Sequence, residues 1–198
     1  MLHKTRNSIT ALSLSLSIVW MNSSLAEDSP QHQATAKISK EFIQKLGSTM
    51  KTEMKSNGPV AAIKVCSEMS PTIAGDISRE KGWKVTRVGT RVRNPMLATP
   101  DVWEQKVLAE FQERADRGES FENMAYSEWV AEPNGNYFRF MKAIGVKPVC
   151  LTCHGSQSDI PEPVKAILQE RYPHDKATGY KPGDLRGAVS IKQPTESM

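Results

Sequence analysis

VCLTCHG, residues Val149–Gly155, is the most specific pattern in this sequence. Cys150 and Cys153 are separated by two residues and His154 follows directly, which is the spacing of covalent c-type haem attachment. Each thiol can add to one vinyl group of the porphyrin, and the adjacent imidazole then takes one axial position on the iron. The motif predicts one covalently attached haem c, with Cys150 and Cys153 as attachment sites and His154 as an iron ligand.

Two other chemistries use the same residue types. A Cys-x-x-Cys pair can act as a dithiol redox site, and Cys and His together can hold structural zinc. We favour haem because the beginning of the chain indicates export, and an oxidising compartment is unfavourable for exposed thiols.

Residues 1–26 have the pattern of an export signal. Lys4 and Arg6 precede the uncharged, mostly apolar run Ile9–Met21, and Ser24-Leu25-Ala26 has the small residues that signal peptidase requires. The alternative is a retained membrane anchor, but the run is short for a span and contains three serines. We expect cleavage before Glu27, a periplasmic location, and a single haem-binding domain over residues 27–198. No later segment is apolar enough to cross a membrane.

Composition limits the classes of partner. The chain has 26 Lys and Arg against 22 Asp and Glu, and two of the basic residues belong to the predicted signal. This balance does not favour nucleic acid or an anionic membrane surface. We expect a redox or signalling protein as partner, of unknown identity, and the oligomeric state stays open.

Hydrophobic spacing predicts helices and strands in an α+β arrangement. Apolar residues spaced by four mark a first helix from Ala36, which Asn57-Gly58 ends and Pro59 restarts. Elsewhere, alternating apolar and polar residues, or segments bounded by turn-forming residues, predict strands. The predicted helices lie near residues 59–71, 71–81, 100–117 and 164–172, and the predicted strands near 83–93, 121–130, 137–146 and 187–193. Residues 27–35 are polar and predict a loose lead-in, and Thr99 is the predicted cap of the helix that starts at Pro100.

Cys66 is the third cysteine, and its role has three interpretations. It can be a buried inert side chain, it can pair with another chain, or its thiolate can be the second axial ligand of the iron. Other candidates for the sixth position are the remaining His and Met residues of the predicted mature chain: His32, His174, Met50, Met54, Met69, Met96, Met124, Met141 and Met198.

Three arginines share one face of the strand predicted over residues 83–93. Arg87, Arg91 and Arg93 can pair with the haem propionates, since the guanidinium group suits carboxylates. A solvated sheet face explains the same pattern equally well.

Four stretches resemble one known family: VCSEMSP, RVGTRVRNP followed by DVWE, YFRFMKAIGVKPVCLTCHG, and YPHDKATGYKPGDLRGAVS. It is the family of exported single-haem c-type proteins with a PAS-like fold, long catalogued as a domain of unknown function. The resemblance runs from about Ala36 to Ser190. It implies a five-stranded antiparallel sheet flanked by helices, Cys150 and Cys153 as attachment sites, His154 as proximal ligand and Cys66 as distal ligand. One departure is Leu97, which stands where the family pattern Asn-Pro-x-Asn has its second Asn.

These observations predict a periplasmic mono-haem cytochrome c that transfers electrons or senses redox state through an iron ligated by His154 and Cys66. A sensor of a diatomic gas, with a displaceable sixth ligand, is the alternative. A haem enzyme such as a peroxidase or small-molecule reductase is less favoured, because the sequence offers no evident distal acid–base group.

Overall fold

The computed structural model describes residues 29–195, so the predicted signal over residues 1–26 and its cleavage site lie outside the described residues. Within residues 29–195 a long helix and a shorter one are followed by a strand, two helices, a hairpin of two strands, two further helices and a last strand. The chain therefore has the predicted α+β class.

Helix α1 spans Pro30–Lys64 and covers one face of the sheet. Its first turn begins where a loose lead-in was predicted, and that prediction is wrong. The Ser29 side chain accepts a hydrogen bond from the His32 amide at 3.1 Å, and Pro30 suits the first turn because it needs no partner for an amide hydrogen. The predicted apolar row is buried at Phe42 and Leu46.

The predicted break at Asn57-Gly58 is a kink within α1. Gly58 has φ 80° and ψ 178°, a conformation that glycine adopts without strain, and Pro59 restarts the helix. The restarted helix then widens into a π-helical turn over Val65–Met69, which contains Cys66. Helix α2, Ser70–Lys81, continues directly and ends at Gly82 with φ 69°.

The sheet has the order β1-β4-β3-β2, and all neighbouring strands are antiparallel. Its strands are β1 Lys84–Gly89, β2 Ala125–Glu132, β3 Gly135–Gly145 and β4 Leu185–Pro194. The expectation of five strands, which the family resemblance implied, is wrong for residues 29–195, where the sheet has four. The segments between these strands are helical or carry prolines and glycines, and proline cannot donate to a strand ladder.

Helices pack on both faces of the sheet. On one face α1 and α2 enclose a core centred on Phe42, Phe138, Phe140 and Ile191. Helix α3, Pro95–Ala98, is a single turn, and α4, Val102–Asp116, covers the other face through the cluster of Val107, Phe111, Met124, Met141 and Ala188. Asp101, not the predicted Thr99, caps α4, because Asp101 and Glu104 form a reciprocal capping box.

The Cys-x-x-Cys-His segment lies beyond the end of β3. A 3₁₀ turn, Pro148–Cys150, leads into α5, Leu151–His154. Helix α6, Glu162–Arg171, then packs against Ile63 of α1 through Val164 and Leu168, and the preceding Ile160 joins the same cluster. In the part of the chain from residue 29 to 195, no helix is long and apolar enough to span a membrane.

Candidate functional site

A cavity of about 460 Å³ opens between α1, the π-helical turn, α2, β1 and the Cys150–His154 segment. This volume is within the usual range of small-molecule and cofactor sites. Most of its wall is apolar, with Phe42, Leu46, Ile63 and Val85 among the lining residues. No Asp or Glu is found among the described residues that line it. The cavity therefore suits a ligand with a large apolar body.

All four predicted site residues line this cavity: Cys66, Cys150, Cys153 and His154. Cys66 comes from the π-helical turn, and the other three come from the short turns after β3. The fold thus brings together residues that are 84 or more positions apart in the sequence. Two thiols and one imidazole at the motif, with a third thiol from another element, are the donor set that the sequence predicted.

The His154 ring is held in one orientation and one tautomer. Its Nδ1 lies 2.6 Å from the Ala177 carbonyl oxygen. Since a carbonyl oxygen only accepts, Nδ1 carries the proton and Nε2 keeps a free lone pair. The Tyr180 ring packs edge-on at 6.1 Å, and the His154 carbonyl accepts a hydrogen bond from the Tyr180 amide at 3.0 Å. A fixed neutral imidazole with a free Nε2 is the form that ligates iron.

Burial and charge both favour the neutral imidazole. The pKa of His154 is lowered well below its ordinary value, first by burial and then by the positive charges of Arg93, Arg186 and Arg87. Burial also raises the pKa of the Cys153 thiol to about 11. At neutral pH the site therefore presents an uncharged imidazole and, at Cys153, a protonated thiol.

Arg93 and Asp175 fix the loop that holds His154. Arg93 Nε donates to Asp175 Oδ2 at 2.8 Å, and Nη2 donates to the Cys153 carbonyl at 2.6 Å. Asp175 Oδ1 accepts the Ala177 amide at 2.7 Å, and Ala177 in turn accepts from His154. One ion pair thus connects the attachment motif to the loop that orients its histidine.

The role of residues 175–180 was not evident from the sequence, although these residues belong to the stretch YPHDKATGYKPGDLRGAVS that carries the family resemblance. Besides Asp175 and Ala177, the Gly179 amide donates to the Gly155 carbonyl at 2.7 Å. The Tyr180 hydroxyl lies 2.9 Å from Thr90 Oγ1 and accepts from the Arg91 amide at 3.0 Å. The signal that could have located this function is the density of turn-forming and hydrogen-bonding residues in DKATGY.

The π-helical turn that carries Cys66 is tied to α6. Arg171 Nη1 donates to Ser67 Oγ at 3.1 Å and to Glu68 Oε1 at 2.9 Å. Such single-turn π segments are frequent at functional sites. Cys66 is half-buried and borders the cavity, so the structure does not place it as a fully buried inert side chain.

The other predicted sixth-ligand candidates divide into two groups. Met50 and Met54 also line the cavity. The other candidate ligands within residues 29–195 do not line the cavity: His32, His174, Met69, Met96, Met124 and Met141. His32 instead packs edge-on to Phe140 at 5.3 Å and its Nδ1 is 2.9 Å from Ser127 Oγ, while Met198 lies outside the described residues.

The three arginines predicted to share a strand face have different surroundings. Strand β1 ends at Gly89, so Arg91 and Arg93 lie beyond it. Arg91 is exposed, does not line the cavity, and donates to the Thr178 carbonyl at 2.7 Å. Arg93 is committed to Asp175, and Arg87 lines the cavity.

The departure at Leu97 lies at the edge of the same cavity. Leu97 is one of its lining residues and is 55% exposed. The preceding Asn94 caps the short helix α3 by accepting the Met96 amide at 3.1 Å. An apolar side chain at position 97 therefore extends the apolar wall, where a second Asn would have added a polar group.

The cavity and its donor set fit a haem better than a zinc ion. Across residues 29–195 no three His, Cys, Asp or Glu side chains are placed to hold a common metal ion. The apolar cavity, the free Nε2 and the two motif thiols are the features that a porphyrin with an axially ligated iron requires.

Comparisons with known proteins agree with this arrangement. The model of the Tll0287-like family matches residues 24–194. A solved structure with a similar fold is the crystal structure of the cyanobacterial haem protein Tll0287, with a TM-score of 0.64, 25% sequence identity, and coverage of 86% of this chain and 99% of that chain. No match is found among curated proteins. Because the family model covers most of the sequence, this chain belongs to the Tll0287-like family.

Proposed function

We propose that this chain is a periplasmic mono-haem c-type cytochrome, which transfers electrons or senses redox state through an iron ligated by His154 and Cys66. The observation that carries the proposal is His154. Its Nδ1 is committed to Ala177, its Nε2 is free, and the same cavity is lined by the two cysteines of the attachment motif. The similarity to a haem protein over 86% of this chain supports the same conclusion.

Four side chains would hold the cofactor. Cys150 and Cys153 would form the thioether bonds, His154 would supply the proximal nitrogen, and Cys66 would supply the distal sulfur. When bound, the haem iron supplies one-electron redox chemistry. The apolar wall around Phe42, Leu46 and Ile63 would pack against the bound haem, and such low-dielectric surroundings would strengthen the effect of nearby charges on the iron.

His154 and Cys66 would affect the reduction potential of the iron in different ways. The hydrogen bond from His154 Nδ1 to Ala177 orients the ring and increases the basicity of Nε2. A Cys66 thiolate would stabilise ferric over ferrous iron and would therefore lower the reduction potential. Ligation by both His154 and Cys66 would leave the iron no free position for a substrate, which would suit electron exchange better than catalysis.

The proposed location rests on residues 1–26 and on the chemistry of the motif. The apolar run and the small residues before Glu27 are typical of a cleaved signal. Thioether formation at Cys-x-x-Cys-His takes place outside the cytoplasm, and export brings the motif to that compartment.

Absorption spectra of the exported protein test this function. The protein is made with a haem-ligation system and measured oxidised, reduced, and reduced under carbon monoxide. We expect c-type bands that carbon monoxide leaves unchanged. Bands that shift with the gas would contradict an iron ligated by both His154 and Cys66. They would favour the alternative function, a sensor of a diatomic gas.

A further inference from the structure

One part of the cavity wall carries positive charge that no lining carboxylate balances. Arg87 of β1 and Arg186 of the neighbouring strand β4 both line the cavity. The third lining arginine, Arg93, is neutralised by Asp175 at 2.8 Å. The described lining residues include no acidic side chain, so Arg87 and Arg186 have no counter-charge within the cavity.

The backbone around Arg186 leaves room for its side chain. Gly89 and Gly187 are partners in the β1–β4 register. A Cβ at Gly89 would lie 2.8 Å from Arg186 Nη1, and a Cβ at Gly187 would lie 2.0 Å from the Val88 carbonyl oxygen. The two glycines therefore let the strands approach closely and let the guanidinium pass across β1.

Neighbouring groups hold Arg186 in place but do not neutralise it. Its Nη1 donates to the Arg91 carbonyl at 3.1 Å, and its guanidinium lies 5.3 Å from the centre of the Tyr180 ring. Burial lowers the pKa of Arg186, and the charges of Arg87 and Arg93 act in the same direction while Tyr180 opposes them. An anion at this position would relieve the repulsion between these cations.

Arg87 is available for such an anion. Its side chain is half-buried, and within residues 29–195 it has no hydrogen-bond or ion-pair partner. A half-buried guanidinium without a partner is unfavourable, because it loses hydration and gains no compensating hydrogen bond. The side chain is thus placed to gain from an acceptor that enters the cavity.

We propose that Arg87 and Arg186 bind the two propionate carboxylates of the haem, an inference that rests on the proposed function. The guanidinium fork matches a carboxylate in a two-pronged, charge-assisted contact, and the ligand offers two carboxylates to two arginines. This pair replaces Arg91 and Arg93, which are bound to other groups.

The test compares holo Arg87→Gln and Arg186→Gln with the wild-type protein, with Arg91→Gln as the matched control outside the cavity. The midpoint potential is measured from about pH 5 to 8. A propionate paired with arginine stays ionised over this range, so the wild-type potential is flat. Loss of either cavity arginine raises the carboxyl pKa into the range, and a proton-linked step in potential appears. Arg91→Gln stays flat.

The variant Arg186→Lys and the infrared spectrum give a second test of the contact with the propionates. Arg186→Lys retains the charge but loses the fork, so it shifts the propionate carboxylate bands in the redox-difference infrared spectrum even where the potential changes little. Haem-loaded cavity variants with a flat potential and wild-type carboxylate bands would overturn the inference. A wild-type protein without haem bands would instead refute the proposed function, and this inference with it.

Discussion

Arg93 and Asp175 are 82 positions apart in the sequence and form an ion pair of 2.8 Å, with only 11% of each side chain exposed. Through Ala177, whose amide donates to Asp175 and whose carbonyl accepts from His154, the pair determines where the imidazole stands. The orientation of the proposed iron ligand therefore depends on a long-range contact that the motif itself does not contain.

Removing one charge of this pair destabilises the fold. Asp175→Asn keeps an oxygen for the Ala177 amide but leaves the buried Arg93 without a counter-charge. We expect the free energy of unfolding, measured by urea titration, to fall by about 3 kcal/mol. Asp76→Asn, which removes the partner of the exposed Arg79, is the control and should leave stability unchanged within error.

In the haem-loaded protein, the charges of Arg93 and Asp175 should also shift the midpoint potential, in opposite directions. Asp175→Asn leaves an extra positive charge near the iron and raises the midpoint potential, whereas Arg93→Gln removes a positive charge and lowers it. Misplacement of the His154 ring alone would instead shift both potentials in the same direction. Wild-type potentials in both variants would contradict the assignment of Arg93 and Asp175 as positioning residues for His154.

Cys66 is tested against two matched side chains in the same cavity. Cys66→Ala should change the resting ferric spectrum and raise the midpoint potential, because the anionic ligand is lost. Met50→Leu and Met54→Leu, at positions that line the same cavity, should leave both unchanged. If a methionine variant alters the spectrum and Cys66→Ala does not, the sixth ligand has been assigned to the wrong residue.

Local chemistry explains which parts of the fold were predictable. The break at Asn57-Gly58 depends on the backbone preferences of the residues themselves, and the structure has a kink there with Pro59 restarting the helix. The alternation patterns indicated the four observed strands, and the fifth came from the resemblance alone. The helical start at Pro30 was missed because its polar composition concealed a contact of His32 with Ser127 and Phe140, which is formed only in the folded chain.

The site was predictable where its residues are adjacent in sequence and unpredictable where the topology assembles them. The spacing of Cys150, Cys153 and His154 carries its own chemistry. The environments of the arginines do not follow from strand alternation, because β1 ends at Gly89 and the chain then turns. Arg186 was missed because its approach to the cavity requires the close pairing of Gly89 with Gly187, which belongs to the β1–β4 register.

Gly187 should be intolerant of any side chain. Its φ is 148° and an added Cβ would lie 2.0 Å from the Val88 carbonyl oxygen, so Gly187→Ala combines backbone strain with a clash against β1. We expect a loss of unfolding free energy above about 3 kcal/mol. Gly82→Ala, at φ 69° with no atom within 4 Å of the added Cβ, is the control and should cost only about 1 kcal/mol. Equal costs would show that strain alone matters at Gly187.

Ionisation of Tyr126 should reduce the stability of the fold at alkaline pH. Burial, together with the neighbouring Glu128, raises the pKa of Tyr126 to about 12. In the unfolded chain the phenol ionises near its ordinary pKa of about 10. The unfolded state therefore loses its proton first, and this contribution to stability is complete below about pH 10 and is lost as the pH rises to about 12. Between about pH 10 and 12, the free energy of unfolding from urea titrations should fall more steeply for the wild type than for Tyr126→Phe. Equal slopes for the two proteins would contradict the raised pKa of Tyr126.

The most direct test of the central claim is the mass of the exported protein after denaturation. Protein made with a haem-ligation system should carry the mass of one haem that survives unfolding and acid extraction, and Cys150→Ala with Cys153→Ala should lose it. A denatured wild-type chain of unmodified mass, or haem retained covalently by the double variant, would contradict attachment at Cys150 and Cys153.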